Sequence, residues 1–265
     1  MNYETPQFST DELFAYIHKN RLLRSGADNV KLAKSSGRGY MTYNLSLMPW
    51  KYSGFQMCAM GADCHADCIG HKSGNNVFKT TQIAKIKRTQ SLMKIRDEFV
   101  KVLQSDIESA KILASENGLL LAVRLNTYSD FQWEDLTTII QDNPTVQFYD
   151  YTKLGSRLIN PIRNYSLTYS LSDHRHSRAD IERRSQHYRC ALVVSRDVWK
   201  QVHKQYFEDS EMFLWNGIRY YNGDIHDLTF LHPQNGVLIL KEKYKKTPEQ
   251  PNPLVYRSLD SIGLS

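Results

Sequence analysis

The sequence predicts an α/β fold, an α/β layer or partial barrel with parallel strands. Three observations lead there. Strand-like and helix-like segments alternate from Tyr40 onward. The run Leu119–Leu125 (LLLAVRL) is almost continuously apolar, as in strands buried on both faces. A chain of 265 residues with 41% hydrophobic and 23% charged residues can bury a substantial core, which excludes a disordered or fibrous protein.

The elements follow in chain order. Ser9 stands three residues before Glu12, the capping-box spacing, so a short helix begins there with Phe14, Ile17 and Leu22 as its buried stripe. Ser35-Ser36-Gly37-Arg38-Gly39 reads as a turn. Tyr40–Leu47 alternates apolar and polar residues and is the first strand, closed by Pro49. An irregular segment follows, and Lys79–Glu116 is helical by periodicity, as two helices or one bent one, ending at Asn117-Gly118. After the Leu119–Leu125 strand, Trp133–Gln141 reads as a short helix and Val146–Tyr151 as a strand. Ser156–Arg163 reads as a helical or turn connection, Tyr165–Leu171 as a strand, Asp173–Arg189 as a polar segment and Cys190–Ser195 as a strand. Asn222-Gly223 signals a hairpin turn, and Gly236–Lys241 is another short strand. The tail after Lys245, with Pro248, Pro251 and Pro253, reads as extended and loosely held. The expected organisation is an N-terminal helix and turn at 1–39, an α/β core at 40–245 with an irregular loop at 49–77 and a small C-terminal hairpin extension, and an extended tail at 246–265.

Three of the four cysteines, Cys58, Cys64 and Cys68, lie in one C-x5-C-x3-C segment. The N-terminus has no apolar signal core and no stretch reaches the ~18 apolar residues of a membrane span, so the expected setting is cytosolic, where disulfides are rare. Clustered thiols are then metal ligands, and thiolates favour zinc or an iron–sulfur cluster over hard cations. Zinc wants a fourth protein ligand, from His71, His65 or Cys190; a [4Fe–4S] cluster can be held by the three thiolates alone. Cys190, inside an apolar strand, is expected in the core first and in a ligand shell second.

The cysteine loop leaves the carboxyl end of the first strand, the edge at which ligands gather in βα arrays. The same edge should receive Asn126, Ser129 and Asp130, then Lys153, then Ser172, and the turn Asp224, His226 and Asp227 sets a histidine between carboxylates. Taken singly, such residues are also ordinary turn formers. Two basic groups are candidate phosphate-neutralising surfaces: Lys85, Lys87 and Arg88 after the cysteine loop, and Arg175, Arg178, Arg183 and Arg184 later. Neighbouring tyrosines could stack on single-stranded bases. The net charge of +6 is compatible with such a role. No nucleophile elbow, phosphate loop or zincin motif is present in the sequence.

The order of NLSL, the cysteine cluster, a basic helix, a strand ending in SDF, FYDYTK, SLTYSLSD and NGDIHD resembles the phage gene-product-eighty-eight family, from Tyr40 to Lys243. The resemblance implies a bacteriophage protein working in the host cytoplasm. The cysteine loop and βα order also resemble radical-SAM enzymes, which build a partial (β/α) barrel around a three-cysteine [4Fe–4S] cluster, with Cys58, Cys64 and Cys68 at the ligand positions. That resemblance implies S-adenosylmethionine as a cosubstrate, although the spacing is wider than the usual C-x3-C-x2-C. No glycine-rich motif follows the second strand, where Thr127-Tyr128-Ser129-Asp130-Phe131 stands instead. The function expected is thus a redox or catalytic iron–sulfur protein. The other expectation is a single-stranded DNA- or RNA-binding accessory of phage or host transcription or replication proteins, in which a cluster or zinc is structural.

Overall fold

The computed structural model describes residues 5–26, 35–159, 162–243 and 252–264. The chain forms two compact units, Met1–Asp150 with Ile162–Tyr165, and Tyr151–Pro161 with Ser166–Ser265. The expectation for Lys245, Pro248 and Pro251 falls outside the described residues.

In the first unit, α1 (Thr10–Lys19) starts at the expected capping box: the Glu12 N–H donates to Ser9 Oγ at 3.2 Å, and the Ser9 N–H donates to the Glu12 carboxylate at 2.8 Å. Leu13 and Ile17, four residues apart, form its buried stripe, while Phe14 lies one helical step away and is 49% exposed. Leu22 is buried beyond the helix. A strand absent from the sequence reading, β1 (Leu23–Ser25), runs antiparallel to β2 (Tyr40–Leu45). β2 pairs in parallel with β3 (Leu120–Arg124), and β3 in parallel with β4 (Gln147–Thr152).

The long helical stretch is two helices, broken at Ile95. A single turn, α2 (Ile69–Lys72), precedes them, followed by α3 (Lys79–Lys94) and α4 (Arg96–Glu116). α4 buries Phe99, Leu103, Ile107, Ala110 and Ala114 at three- and four-residue steps, the apolar face that periodicity predicts. α3 differs, because its buried face is largely polar and includes Lys85, Arg88, Thr89, Gln90 and Ser91. These side chains satisfy the backbone of the irregular chain leaving β2. Arg88 Nε donates to Ser46 O at 2.9 Å, the Met48 N–H donates to Thr89 Oγ1 at 2.8 Å, and Gln90 Nε2 donates to Ser53 O at 3.1 Å. Buried backbone groups need partners, and α3 supplies them where no strand can.

In the second unit, β5 (Tyr165–Ser170) and β6 (Arg189–Val194) are parallel. β6 pairs in parallel with β9 (Gly236–Lys241), β9 with β8 (Ile218–Asn222), and β8 antiparallel with β7 (Met212–Trp215). Two helices, α5 (Arg178–Ser185) and α6 (Arg196–Val202), are capped by Ser177 and Ser195. A core of Leu171, Ile181, Cys190, Leu192, Val198, Ile239 and Tyr256 lies among them.

The α/β class with parallel strands therefore holds, in a mixed sheet. Both β1 and β7 run antiparallel to their neighbours, and within each unit the strand order does not close on itself. Four local expectations are corrected. Trp133–Gln141 forms only a 3-10 turn, Trp133–Asp135. The carbonyls of Ile139 and Ile140 are instead taken by Asn143 Nδ2 at 2.8 Å and Asn164 Nδ2 at 2.7 Å, side chains that compete with a helical ladder. The polar segment Asp173–Arg189 contains α5, whose capping box is Ser177 with Asp180. The hairpin turn is Asn216-Gly217, both at positive φ (48° and 77°), and the hairpin is built into the sheet through β8 rather than appended to it. Finally, Val255–Tyr256 form β10, paired in parallel with β6, so the described part of the tail is anchored by two buried apolar side chains.

No helix among the described residues is long and apolar enough to cross a membrane.

Candidate metal centre

The polar face of α3 holds the chain beyond β2 and so delivers Cys58 to the loop that leaves β3. There the Asp130 N–H donates to Met57 O at 3.0 Å, and Cys58 forms an isolated parallel bridge with Asp130. Two 3-10 turns, Gly61–Asp63 and His65–Asp67, separate the cysteines, and Cys68 precedes α2. Two glycines make the packing possible. A Cβ on Gly61 would stand 2.6 Å from the Trp50 ring and 2.9 Å from Cys58 Cβ; one on Gly70 would stand 2.5 Å from Tyr128 Cβ. Neither glycine is singled out by sequence reading, although a glycine inside a cysteine loop is the available signal.

All three thiols are half-buried, and they share one electrostatic neighbourhood. Burial pushes the Cys58 thiol up to about 12, with the backbone N–H groups of Trp50 (3.4 Å from Sγ) and Asp130 pulling the other way and the other two thiols adding to the rise. Burial pushes Cys68 up to about 11, against the backbone N–H groups of Gly70 and His71 and the Lys85 ammonium. Tyr52 is raised by burial and by Cys68 and Cys64. Backbone N–H groups directed at sulfur stabilise a thiolate in preference to a thiol.

Lys85 is fully buried beside them. Its Nζ donates to Gly70 O and to Asn76 Oδ1 (3.0 Å) and lies 5.1 Å from the centre of the Tyr128 ring. Burial lowers it to about 8, while Cys68 opposes the shift. The neighbours it touches are neutral, an uncomfortable place for an ammonium unless an anion forms nearby.

Of the candidate fourth ligands, His71 stacks on Tyr52 with ring centroids 4.2 Å apart. Its Nδ1 is buried and finds no hydrogen-bond partner among the described residues. Burial lowers its pKa, with Lys85 and Lys72 adding to the effect, which keeps the imidazole in its neutral, ligating form. His65 stacks on Trp50 and places Nδ1 2.9 Å from Ala62 O. Cys190 is wholly buried in the core of the second unit, where its thiol donates to Tyr188 O. Among the described residues no three His, Cys, Asp or Glu side chains stand in formed metal geometry. The loop is a set of neighbouring donors rather than a ready-made cage.

The strand-end residues divide between the units. In the first, Asn126 Oδ1 accepts from Ser129 Oγ (2.7 Å) and from the Phe131 N–H (3.1 Å), clamping the loop that carries Tyr128 and Asp130. That clamp is tied down by fully buried Asp150, which accepts from the Asn126 N–H at 2.8 Å and the Tyr165 hydroxyl at 2.9 Å, with Arg124 Nε 3.7 Å away. Asp150, Arg124 and Tyr165 are missed by sequence reading because they lie inside otherwise apolar strands. In the second unit, Lys153 Nζ donates to Ser170 Oγ at 3.3 Å and Ser172 is buried. Asp224 accepts from the Lys241 N–H, and buried His226 stacks on His232 at 4.8 Å, with Asp227 capping the next turn through its carbonyl.

The first basic group is not a solvated face. Lys85 and Arg88 are buried, and Lys87 lies over the Phe8 and Tyr16 rings. Their positive charge is spent inside the unit because α3 packs its polar side inward. In the second group Arg178 pairs with Glu182 and Arg183 with Asp180; Arg175 is exposed and Arg184 lies over Tyr169 at 4.6 Å.

A family model described as Gene product 88 matches residues 16–252. No curated protein and no solved structure matches the chain.

Proposed function

The chain belongs to the Gene product 88 family, and from that premise we propose that it is a bacteriophage iron–sulfur protein whose cluster is held by Cys58, Cys64 and Cys68 in a redox or catalytic role in the host cytoplasm. The observation that carries the reading is Lys85, an ammonium with no solvent exposure beside Cys68, whose direct partners are neutral. Three thiolates on a doubly positive cluster core leave about one net negative charge, which is what that buried cation lacks. The backbone N–H groups aimed at Cys58 and Cys68, and the unpartnered Nδ1 of His71, fit the same group.

In this reading the three cysteines bind, and the N–H groups of Trp50, Asp130, Gly70 and His71 orient the sulfurs and tune them. Lys85 balances charge, the Trp50 and Tyr52 rings exclude water, and His71 is a neutral donor within the same loop. When bound, the cluster supplies electron transfer and, at an iron without a protein thiolate, a position for a small ligand or for S-adenosylmethionine. The parallel β2–β3–β4 array with the cysteine loop at its carboxyl end supports a radical-SAM-like arrangement in the first unit.

Reconstitution with iron and sulfide under anaerobic conditions, followed by visible absorption of Cys58→Ser, Cys64→Ser and Cys68→Ser, tests the assignment. Each substitution should abolish or bleach the chromophore while Cys190→Ser leaves it intact. A wild-type chromophore unaffected by all three would overturn it, and stoichiometric zinc would replace the cluster by a structural site.

A further inference from the structure

Residues 5–8 lie outside every helix and strand, ahead of α1. One side chain of α3 fastens them. Gln90, with no solvent exposure, divides its amide between this segment and the turn at 52–54. Its Oε1 accepts from the Phe8 N–H at 3.1 Å, while its Nε2 donates to Pro6 O at 2.8 Å and to Ser53 O at 3.1 Å. Lys94 Nζ adds bonds to Gln7 Oε1 (3.2 Å) and Phe8 O (3.0 Å), and Thr5 Oγ1 donates to Tyr52 O at 3.3 Å. Gly54, at φ 88°, lets the turn lie close against the segment: a Cβ there would stand 3.3 Å from Gln7 Nε2.

Tyr52 carries this linkage on to the cysteine loop. Its hydroxyl donates to His65 O at 3.0 Å and its ring stacks on His71 at 4.2 Å, so it braces the loop on both sides of Cys68. Cys64 and Cys68 are the thiols that act on its phenol. The segment itself is held in a way that opens locally. Thr5, Pro6 and Phe8 are only half-buried and Gln7 is exposed, so the segment seals no apolar side chain into the core. When it lifts, its main-chain groups and the Gln90 amide meet water instead of an empty interior, which spares most of the penalty of an unmade bond. Segments with few buried apolar contacts open at low free energy. The rest of the unit need not follow, because α1 is anchored separately by Leu13, Ile17 and its own capping box.

We propose that residues 5–8 are a releasable latch on the cysteine centre, fastened by Gln90. Seated, the latch holds the 52–54 turn and keeps Tyr52 across Cys64 and Cys68. Released, it frees Tyr52 to swing aside and opens these two thiols to an incoming metal or cluster. Such control of loading rests on the iron–sulfur reading above, whereas the latch itself is tested on the thiols alone.

The test is alkylation of the metal-free full chain by iodoacetamide under anaerobic conditions, with the rate at each cysteine followed by peptide mass. Gln90→Leu removes three bonds of the latch and its turn at nearly constant volume. Lys94→Met removes two more from an exposed side chain and leaves the core untouched. Cys64 and Cys68 should react about tenfold faster in Gln90→Leu and several-fold faster in Lys94→Met. Cys58, pinned at its bridge with Asp130, and Cys190, in the core of the second unit, should keep their wild-type rates. Rates at Cys64 and Cys68 that stay at wild-type values in Lys94→Met, or that rise only in step with Cys58 and Cys190, overturn the proposal. A chain that loads zinc, or no metal, alters none of these rates and bears only on the cluster assignment.

Discussion

Replacing Lys85 by methionine separates the charge-balancing role from a packing role. Methionine fills nearly the same volume in the fully buried site and removes only the ammonium. In the metal-free chain two opposing effects arise. Loss of the donors leaves Gly70 O and Asn76 Oδ1 unsatisfied, at about 1–3 kcal/mol each, while removal of a buried charge returns a desolvation penalty of several kcal/mol. These nearly cancel, so the melting temperature of the metal-free protein should move by only a few degrees. With the cluster in place, one unit of charge at about 5 Å in an effective dielectric of about 20 is worth ~3 kcal/mol. The variant should therefore hold its cluster about two orders of magnitude more weakly. The assay is cluster loss to a competing chelator under anaerobic conditions, with the thermal melt of the metal-free protein as control. Equal cluster retention in Lys85→Met and wild type would refute the reasoning.

Other outcomes follow from the same contacts. Asp150→Asn puts an amide where three donors converge on a buried carboxylate and should destabilise by about 3–5 kcal/mol, read from chemical denaturation. Gly70→Ala sets a methyl group against the Tyr128 side chain and should lower both stability and cluster retention, whereas Gly37→Ala, with open space around it, should be silent in both assays. His176 has its pKa held below the ordinary value of 6.5, first by burial and then by Arg184 and Lys153, against the hydrogen bond to the Ser172 backbone carbonyl and the charge of Asp180. The unfolded chain then binds the proton more readily, so stability is fully present above pH 6.5 and falls as pH drops toward the folded value. Denaturation midpoints across pH 5–8 should show that slope, and His176→Gln should flatten it.

Much of the layout was legible in the sequence. Continuous apolar runs located β3 and β6, the Ser9–Glu12 spacing located α1, and cysteine clustering at a strand end located the candidate centre. What escaped has a common physical origin. Periodicity detects apolar faces, whereas α3 buries Lys85, Arg88, Thr89 and Gln90 because the backbone it packs against needs donors and acceptors. The basic residues of that helix thus resemble a nucleic-acid surface in the sequence and lie largely inside the fold. Trp133–Gln141 has the composition of a helix, yet Asn143 and Asn164, the latter more than twenty residues further on, take its carbonyls. Asp150 and Tyr165 sit in apolar strands, and nothing local marks them as a polar strut.

Iron and acid-labile sulfide analysis of the wild-type protein, isolated without exposure to air, bears most directly on the cysteine centre. About four irons and four sulfides per chain, absent from Cys58→Ser, is the predicted result. A colourless protein carrying one zinc per chain and no sulfide would contradict the account.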